Sequence, residues 1–406
     1  MTTFSPTAAR SAVLVHFLAN GVILGIWASR LPAVKHELGL ADRDVAAVIF
    51  AGAIGAMLSL RVAGHVIERF GSLRTTRIAA LFMMLSLLLP AVATSMPTLS
   101  AGMLLMAGGA SFQDVWMNSQ AVAIERRIGR PIMSSFHAAF SIGGIAGAGA
   151  GALTAKIELS YRASFVIVSL LFTVAVVAAN RWLLDAPETS RIEKDDVRGR
   201  RDLPHRGTMI ALGLIGLASF VAEGAAADWT AIYLREGTGS THAVAALGFM
   251  VFSVTMTAGR LAGDRLAARF GAMALVRLGT IVGGVGLAAG LLLQSTPAGV
   301  AGFAVLGLGI SVVVPQVFSA AGQLAPGRAP AALALVSAIS YLGFLTGPAV
   351  IGAIADVTDL RTALLIPAAL IAAASFVASR IHIEPGVAVP EAAGGDSHLT
   401  AEPDLA

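Results

Sequence analysis

Residues 101–125, AGMLLMAGGASFQDVWMNSQAVAIE, are the most informative stretch of the chain. This stretch begins as a plain apolar helix and then gains polar side chains without ceasing to be hydrophobic. On a helix, Asp114, Asn118 and Glu125 lie along one stripe, with Gln113 beside it. A carboxylate near the middle of a bilayer costs roughly 2.5–3.5 kcal/mol on insertion scales, so we expect Asp114 to face protein or water.

The composition indicates a membrane protein that crosses the bilayer many times. Of the 406 residues, 56% are hydrophobic and 13% are charged, whereas about 25% of residues are charged in a soluble protein. A net charge of +4 suggests nucleic acid in a soluble chain, but positive charge retained in cytoplasmic loops gives the same total. We therefore expect the lipid bilayer, and no nucleic acid, as a partner. The chain contains no cysteine, which excludes disulfides and cysteine-based metal sites.

Apolar runs recur along the chain, each long enough to cross about 30 Å of hydrocarbon. The first run follows one Arg and could be a signal peptide, but no clear small-residue cleavage site follows it, so we interpret it as a span. The runs predict twelve spans, at about 11–31, 44–65, 77–95, 98–124, 132–155, 162–184, 207–234, 242–263, 272–293, 297–324, 329–354 and 360–380.

Positive charge alternates between the loops that join these spans. The loops at 93–97 and 294–299 contain no basic residue. The alternate loops are rich in arginine, with Arg69, Arg74, Arg77, Arg126, Arg127, Arg130, Arg265, Arg269 and Arg277. Because basic loops remain in the cytoplasm, we expect a protein of the bacterial inner membrane with both termini in the cytoplasm.

An offset of 200 residues relates the two halves of the chain. At this spacing residues 137–152 align with 337–352, and Gly143 and Gly147 meet Gly343 and Gly347. The repeat predicts two six-helix bundles of common origin.

These boundaries divide the chain into four parts. Residues 1–184 form the N-terminal bundle, 185–206 a cytoplasmic linker, and 207–380 the C-terminal bundle. The linker is mixed in charge and lacks a hydrophobic face, and the tail at 381–406 is rich in Pro, Gly and Ala. We expect the tail to be disordered.

At this point the sequence resembles the major facilitator superfamily over about residues 11–380. The loop GHVIERFGSLRTTR (64–77) looks like that family's G-x-x-x-D-R-x-G-R-[KR] loop, with Glu68 in the Asp position. GRLAGDRLAARFG (259–271) is its counterpart in the second half. The resemblance implies an all-α membrane protein with twelve transmembrane helices in two pseudo-symmetric six-helix bundles, and spans 1, 4, 7 and 10 around a central cavity.

Within the superfamily, span four resembles the fucose-permease-like sugar–proton symporter branch. That branch has an acid, an Asn four residues on and a Glu closing the helix, as Asp114, Asn118 and Glu125 do here. The branch's acid in span one is replaced by Ala28, so the mechanism is not carried over whole. The drug–proton antiporter pattern fits less well, because span four lacks its Arg and span five has Gly147-Ala148 in place of Gly-Pro.

Four residues are candidates for proton coupling: Asp114, Glu223, Asp228 and His137. A buried carboxyl group favours its neutral form, which suits proton exchange near neutral pH. For Asp114 and Glu223 the alternative is a permanent hydrogen bond between helices. Asp228 is equally compatible with a water-exposed residue at the mouth of the cavity, and a single intramembrane His is often only a packed side chain.

A second set of polar and aromatic residues is predicted to bind the solute. The amides could hydrogen-bond hydroxyl groups, and the indoles could stack on an apolar sugar face. Alternatively, the amides form hydrogen bonds between helices, and the indoles anchor the protein at the membrane interface. The set comprises Asn20, Trp27, Gln113, Trp116, Asn118, Gln120, Trp229 and Gln316.

Glu68, Arg69, Asp264 and Arg269 are predicted to form charge latches at the cytoplasmic end that favour one conformation. No phosphate-binding loop, metal motif or nucleophile elbow occurs in the sequence, so we expect neither an enzyme nor a cofactor or metal.

We therefore predict a monomeric secondary transporter that moves a small polar, sugar-like solute with protons. Two alternatives remain open: proton-driven efflux of a drug or metabolite, and a transporter-derived sensor that binds solute without flux.

Overall fold

The computed structural model describes residues 5–70, 72–184, 203–325 and 328–381, and these residues form helices and short connections with no β-strand. The first half contains α1 (Pro6–Glu37), α2 (Asp42–Phe70), α3 (Ser72–Ser86 and Leu88–Val92), α4 (Met96–Ile128), α5 (Met133–Lys156) and α6 (Tyr161–Ala179). The second half contains α7 (Arg206–Ile232), α8 (His242–Phe270), α9 (Ala272–Leu292), α10 (Thr296–Ile310 and Val313–Leu324), α11 (Ala329–Val357) and α12 (Leu360–Ala378). Each predicted span thus corresponds to one helix, and the predicted all-α fold is confirmed.

Several helices are longer than the spans predicted from hydropathy. For example, α1 covers residues 6–37 where the prediction was 11–31. Hydropathy detects only the part of a helix that lies in hydrocarbon, whereas backbone hydrogen bonding continues beyond it. The predicted linker at 185–206 and tail at 381–406 fall mostly outside the described residues, which resume at 203 and end at 381.

Nine helices within the described part of the chain are long and apolar enough to cross a membrane. The other three, α2, α4 and α8, are 29, 33 and 29 residues long. All three contact helices of the opposite half. Buried polar residues of α4 and α8, such as Asn118 and Arg260, therefore face protein instead of lipid.

Proline accounts for the two helices that are interrupted. The first segment of α3 ends at Ser86, four residues before Pro90, and the first segment of α10 ends at Ile310, next to Ser311, which lies four residues before Pro315. Proline has no N–H to donate to the carbonyl of the residue four positions earlier, so the ladder of helical hydrogen bonds is broken there.

Two glycines that mark the repeat, Gly143 and Gly147, form a close-packing surface between α1 and α5. A Cβ added at Gly143 would collide with the carbonyl oxygen of Leu18, and one at Gly147 with that of Val22. The equivalent pair in the second half is α7 and α11, where a Cβ on Gly343 would lie 2.5 Å from the carbonyl oxygen of Leu217. The repeat is therefore visible in packing as well as in sequence.

We expect Gly143→Val to destabilise the protein, because the added atoms meet backbone that cannot rotate away. Overpacking of this kind costs about 1–3 kcal/mol or more. The matched control is Gly149→Val in the same helix, since a Cβ added there has nothing within 4 Å. Thermal unfolding in detergent should show a lowered Tm for Gly143→Val alone; equal Tm values for the two variants would contradict the close packing.

Candidate functional site

The polar stripe predicted on α4 is buried in the structure. Asp114 is 8% exposed and Asn118 is 0% exposed. The Asn118 Nδ2 donates to Asp114 Oδ1 at 3.0 Å and to the Asp114 carbonyl oxygen at 2.8 Å. The spacing of four residues places the two side chains one turn apart on the same face, as the sequence predicted.

The other carboxylate oxygen of Asp114 accepts a hydrogen bond from the second half of the protein. Tyr341 on α11 donates its hydroxyl to Asp114 Oδ2 at 3.1 Å. The phenol ring of Tyr341 stacks on Phe220 of α7, with ring centroids 5.2 Å apart and an interplanar angle of 9°. This stacking fixes the ring, so Asp114 joins the two halves through a positioned partner.

His137 on α5 extends this network. Its Nε2 lies 3.2 Å from Asn118 Oδ1. Because the Asn118 amide nitrogen already donates to Asp114, its oxygen is the acceptor, and His137 Nε2 carries the hydrogen. The imidazole also packs between Phe17 and Phe318, at centroid distances of 5.4 and 5.9 Å. A continuous chain of hydrogen bonds therefore runs from Tyr341 through Asp114 and Asn118 to His137.

A buried arginine lies beside this chain. Arg260 on α8 is 7% exposed and donates through Nη1 to the hydroxyl of Ser141 on α5. It lies near Glu223 on α7 and near His137 on α5. The Arg260 Nε has no hydrogen-bond partner among the described residues. Arg260 thus places a positive charge between Ser141 of one half and Glu223 of the other.

Two amides on the N-terminal side of the cluster are only partly satisfied. Gln113 Nε2 lies 3.0 Å from His16 Nδ1, and Asn20 Nδ2 lies 3.8 Å from the sulfur of Met117. The oxygen atoms of both amides are buried and lack hydrogen-bond partners among the described residues. Buried amide oxygens without donors are destabilising unless a ligand or water satisfies them.

The two halves are also joined at the end of the molecule that carries the termini. We call these contacts the seam, and they comprise Glu125 and Arg126 with the C-terminal part of α10, Asp264 with Ser135, and Gln316 with Ser134. Glu125 Oε1 accepts from Gln323 Nε2 at 3.0 Å and from the Ser319 hydroxyl. Arg126 donates to the carbonyl oxygens of Gly322 and Gln323. Gln316 Nε2 donates to Ser134 Oγ at 3.1 Å.

The N-terminus of α5 is the centre of the seam. Glu125 Oε2 accepts from the backbone N–H groups of Ile132 and Met133 at 2.9 and 3.0 Å. Asp264, from the other half, accepts from the N–H of Ser135 at 3.1 Å. These are N–H groups that a helix leaves without internal partners, and the helix dipole favours negative charge there.

Two glycines let the halves approach at the seam. A Cβ added at Gly263 of α8 would lie 2.6 Å from the Cβ of Ser134, and one at Gly322 of α10 would lie 2.6 Å from Cγ1 of Val122. Among the described residues, the hydrogen bonds between the halves lie from the middle of the helices to this end. The structure is therefore closed on the side of the termini.

The remaining predicted solute-binding residues do not gather at one place. Gln120 holds the backbone of Leu184, donating to its carbonyl and accepting from its N–H, both at 3.1 Å. Trp116 is fully buried beside Phe112, and Trp27 packs against Phe165 within the first half.

Two further candidates lie near the end of the molecule opposite the termini. Trp229 is half-buried and lies next to Gly352 of α11, while Asp228 is exposed. The exposure of Asp228 agrees with its alternative interpretation as a residue at the mouth.

Of the four residues predicted to form charge latches, only Asp264 is seen to join the two halves among the described residues. Asp264 does bridge the halves, but its partner is a backbone N–H and not an arginine. Arg269 is exposed, with its guanidinium 5.3 Å from the ring centroid of Phe270. The side chains of Glu68 and Arg69 lie outside the described part of the structure.

Sequence reasoning missed Arg260 and Tyr341. Arg260 falls inside the predicted span at 242–263, and a charged residue inside a span is a functional candidate by default, so this signal was present. Tyr341 carried a weaker signal, because it aligns with Ser141 in the repeat. The structure shows that both side chains form a hydrogen bond with the opposite half, Tyr341 with Asp114 and Arg260 with Ser141.

Two six-helix halves that enclose buried charges between them define a membrane transporter architecture. The sequence model of the Major Facilitator Superfamily matches residues 11–271 and 209–401 of this chain. The chain belongs to this superfamily. It is therefore a multi-pass membrane protein and a secondary transporter, not an enzyme.

Relatives at about one-third identity support the same family. The uncharacterized transporter y4wD of Sinorhizobium fredii is 33% identical over 349 residues, covering 86% of this chain and 92% of the relative. Membrane protein MosC of Rhizobium meliloti is 32% identical over 360 residues, covering 87% and 86%.

Two solved structures of the fucose:proton symporter FucP share the fold. One is an E. coli variant, with a TM-score of 0.73, and the other is described as the outward conformation, with a TM-score of 0.76. Both are 15% identical to this chain, and each match covers 91% of this chain and 97% of FucP.

We expect Asp264→Asn to weaken the seam, because it removes the charge that faces the N-terminus of α5. Hydrogen bonds to charged groups contribute about 1.5–3 kcal/mol, so the population open on the side of the termini should rise about 10- to 100-fold. Since the chain has no cysteine, spin labels on Arg130→Cys and Ala268→Cys would report the distance across the seam. The distance distribution should gain a longer component.

The control for this experiment is Asp359→Asn. Asp359 also caps a helix, because its Oδ1 accepts from the N–H of Thr362 at 2.9 Å, but both lie in the same half. The hydrogen bonds from the backbone and hydroxyl of Thr362 lower the pKa of the Asp359 carboxyl. A distance distribution that changes equally in both variants would contradict a specific role of Asp264 in closure.

We also expect Arg260 and Glu223 to be energetically coupled. Arg260→Gln leaves the half-buried Glu223 without its nearby cation, whereas Glu223→Gln combined with Arg260→Gln removes both charges. The double variant should be more stable than the sum of the single changes predicts, by about 1–3 kcal/mol. The control is Arg265→Gln on the same helix, which is exposed; additive changes in unfolding free energy would rule out the coupling.

Proposed function

We propose that the chain is a proton-coupled transporter that moves a small polar, sugar-like solute by alternating access. The observation that carries this proposal is the Asp114 carboxylate, which accepts one hydrogen bond from each half of the protein, from Asn118 and from Tyr341. A proton bound at this carboxylate changes the contact between the halves. Proton occupancy and conformation are thereby linked.

A second charged pair supports the same mechanism. Glu223 and Arg260 both lie in the second half, close to Tyr341 and His137. Protonation of Glu223 would leave Arg260 without its counter-charge and free to bind an acceptor elsewhere. We assign Asp114 and Glu223 the coupling roles, with His137 as the positioning partner of Asn118.

The nature of the buried polar groups supports a solute with hydroxyl groups. Within the described part of the chain, the amide oxygens of Asn20 and Gln113 have no hydrogen-bond donor, and a hydroxyl group can donate to both. Gln316 contributes a further amide from α10 but is bonded to Ser134 in this closed state. FucP, which shares the fold, is a fucose:proton symporter, and this favours a sugar-like solute here.

Orientation and assembly complete the proposal. The arginine-rich loops lie at the same end as the termini, which supports an inner-membrane protein with cytoplasmic termini. The buried polar network needs residues of one chain only, which supports a monomer. In this orientation the seam closes the cytoplasmic side.

The solute is best found by a thermal-shift screen of the purified protein against sugars, polyols, organic acids and cationic drugs. Solutes that raise the Tm are then tested for flux in proteoliposomes under an imposed pH gradient. Uptake driven by an acidic exterior supports symport, whereas solute movement against the proton flux indicates efflux. Binding without any flux would leave only a sensor.

We expect Asp114→Asn to abolish proton-driven accumulation while leaving solute exchange at equal pH largely intact, because the amide still bonds Asn118 and Tyr341 but cannot ionise. Accumulation should fall at least tenfold, and further when Glu223→Gln is added. Asp356→Asn, on an exposed aspartate at the far end of α11, is the control. Accumulation that persists unchanged in the Asp114→Asn, Glu223→Gln double variant would refute the coupling roles.

A further inference from the structure

An apolar groove runs along the outer surface of the first half, between α2, α3 and α4. Its volume is about 710 Å³, which falls within the range of ligand-binding cavities. Its floor is formed where Gly55 and Gly108 bring α2 and α4 together. Its walls include five large hydrophobic side chains that are 43–66% exposed: Leu58, Phe70, Ile78, Phe82 and Leu105.

The groove has one charged residue in its described lining. Arg74 lies at the end nearer the termini, two residues after the start of α3, and is exposed. From Gly55 to Phe70 the groove follows α2 for about 22 Å at 1.5 Å per residue. That length exceeds one leaflet of a hydrocarbon core about 30 Å thick. The groove therefore reaches from the headgroup level past the middle of the bilayer.

In the second half, glycines bring α9 close to α10. At the positions of Ala79, Met83 and Ser86, α9 has Gly279, Gly283 and Gly286, and a Cβ added at any of these would meet α10. The close approach of α9 and α10 narrows the corresponding gap.

The charge differs as well. Arg74 corresponds to Ala274 and Gly108 to Leu308 at the offset of 200 residues. The arginine at the groove thus has no counterpart at the equivalent position of the second half, although the helices of the two halves have the same arrangement.

We propose that this groove is a binding site for an anionic phospholipid, with one acyl chain in the groove and the phosphate at Arg74. The apolar walls match a hydrocarbon chain and no polar solute. Arginine presents a planar fork of donors that binds phosphate oxygens in pairs. Basic residues at the membrane surface favour anionic over zwitterionic lipids, so the site should select phosphatidylglycerol over phosphatidylcholine.

The site can be tested with fluorescence quenching by lipids with brominated acyl chains. Because the chain lacks cysteine, Ile78→Cys can carry a single bimane label at the rim of the groove. The matched control is Leu278→Cys, at the equivalent place on α9 and 57% exposed. Each labelled full-length protein is reconstituted in phosphatidylcholine bilayers in which about one lipid in ten is brominated phosphatidylglycerol, or brominated phosphatidylcholine for comparison.

We expect the label at residue 78 to report a relative affinity for phosphatidylglycerol over phosphatidylcholine of at least threefold, and the label at 278 a ratio near one. Arg74→Gln should return the ratio at 78 to near one, whereas Arg277→Gln, an exposed arginine of α9, should leave it unchanged. Ser59→Phe, which fills the groove without altering charge, should also abolish the preference.

Three results would overturn the proposal. Equal ratios at residues 78 and 278 would show ordinary contact with bulk lipid. A preference that survives Arg74→Gln would exclude the phosphate contact. If both lipids quench the label at residue 78 much less than the label at 278, then protein covers the groove and lipid does not reach it. A second copy of this chain could cover it in this way.

Discussion

The closed state depends above all on the N-terminus of α5. Its N-cap residue, Ile132, offers no side-chain hydrogen bond, so the first N–H groups of the helix need acceptors from elsewhere. Glu125 supplies one carboxylate from its own half and Asp264 supplies the other from the opposite half. Both also lie at the positive end of the helix dipole. One helix end therefore holds two carboxylates, and the second of them ties the halves together.

The internal repeat does not duplicate this pair of carboxylates. At the offset of 200 residues, Glu125 corresponds to Ala325 and Asp264 to Gly64, neither of which can accept a side-chain hydrogen bond. The same asymmetry appears at mid-membrane, where Asp114 corresponds to Val314 and Arg260 to Leu60. The repeat thus supplies the scaffold twice and these four charged groups once. In consequence, the two halves can differ in how they respond to a proton although their helices pack alike.

The sequence was sufficient for the fold and for contacts within one helix, but not for contacts between helices. The twelve helices and the pairing of Asp114 with Asn118 follow from hydropathy and helical periodicity, which act along the chain. The bonds of Asp114 to Tyr341 and of Asp264 to Ser135 join residues 227 and 129 positions apart. Such pairs depend on the rotation and height of each helix, which a single sequence does not encode in any local pattern.

The strengths of these contacts bear on how the protein could open. The seam contains several hydrogen bonds to charged groups, each worth about 1.5–3 kcal/mol, whereas allosteric coupling between two sites is typically about 1–3 kcal/mol. Protonation of Asp114 alone therefore cannot offset the whole seam. Opening requires the Asp264 and Glu125 carboxylates to exchange their helix N–H partners for water, which the exposed end of the molecule supplies. In this view the mid-membrane network selects when opening occurs, and hydration of the seam makes it energetically accessible.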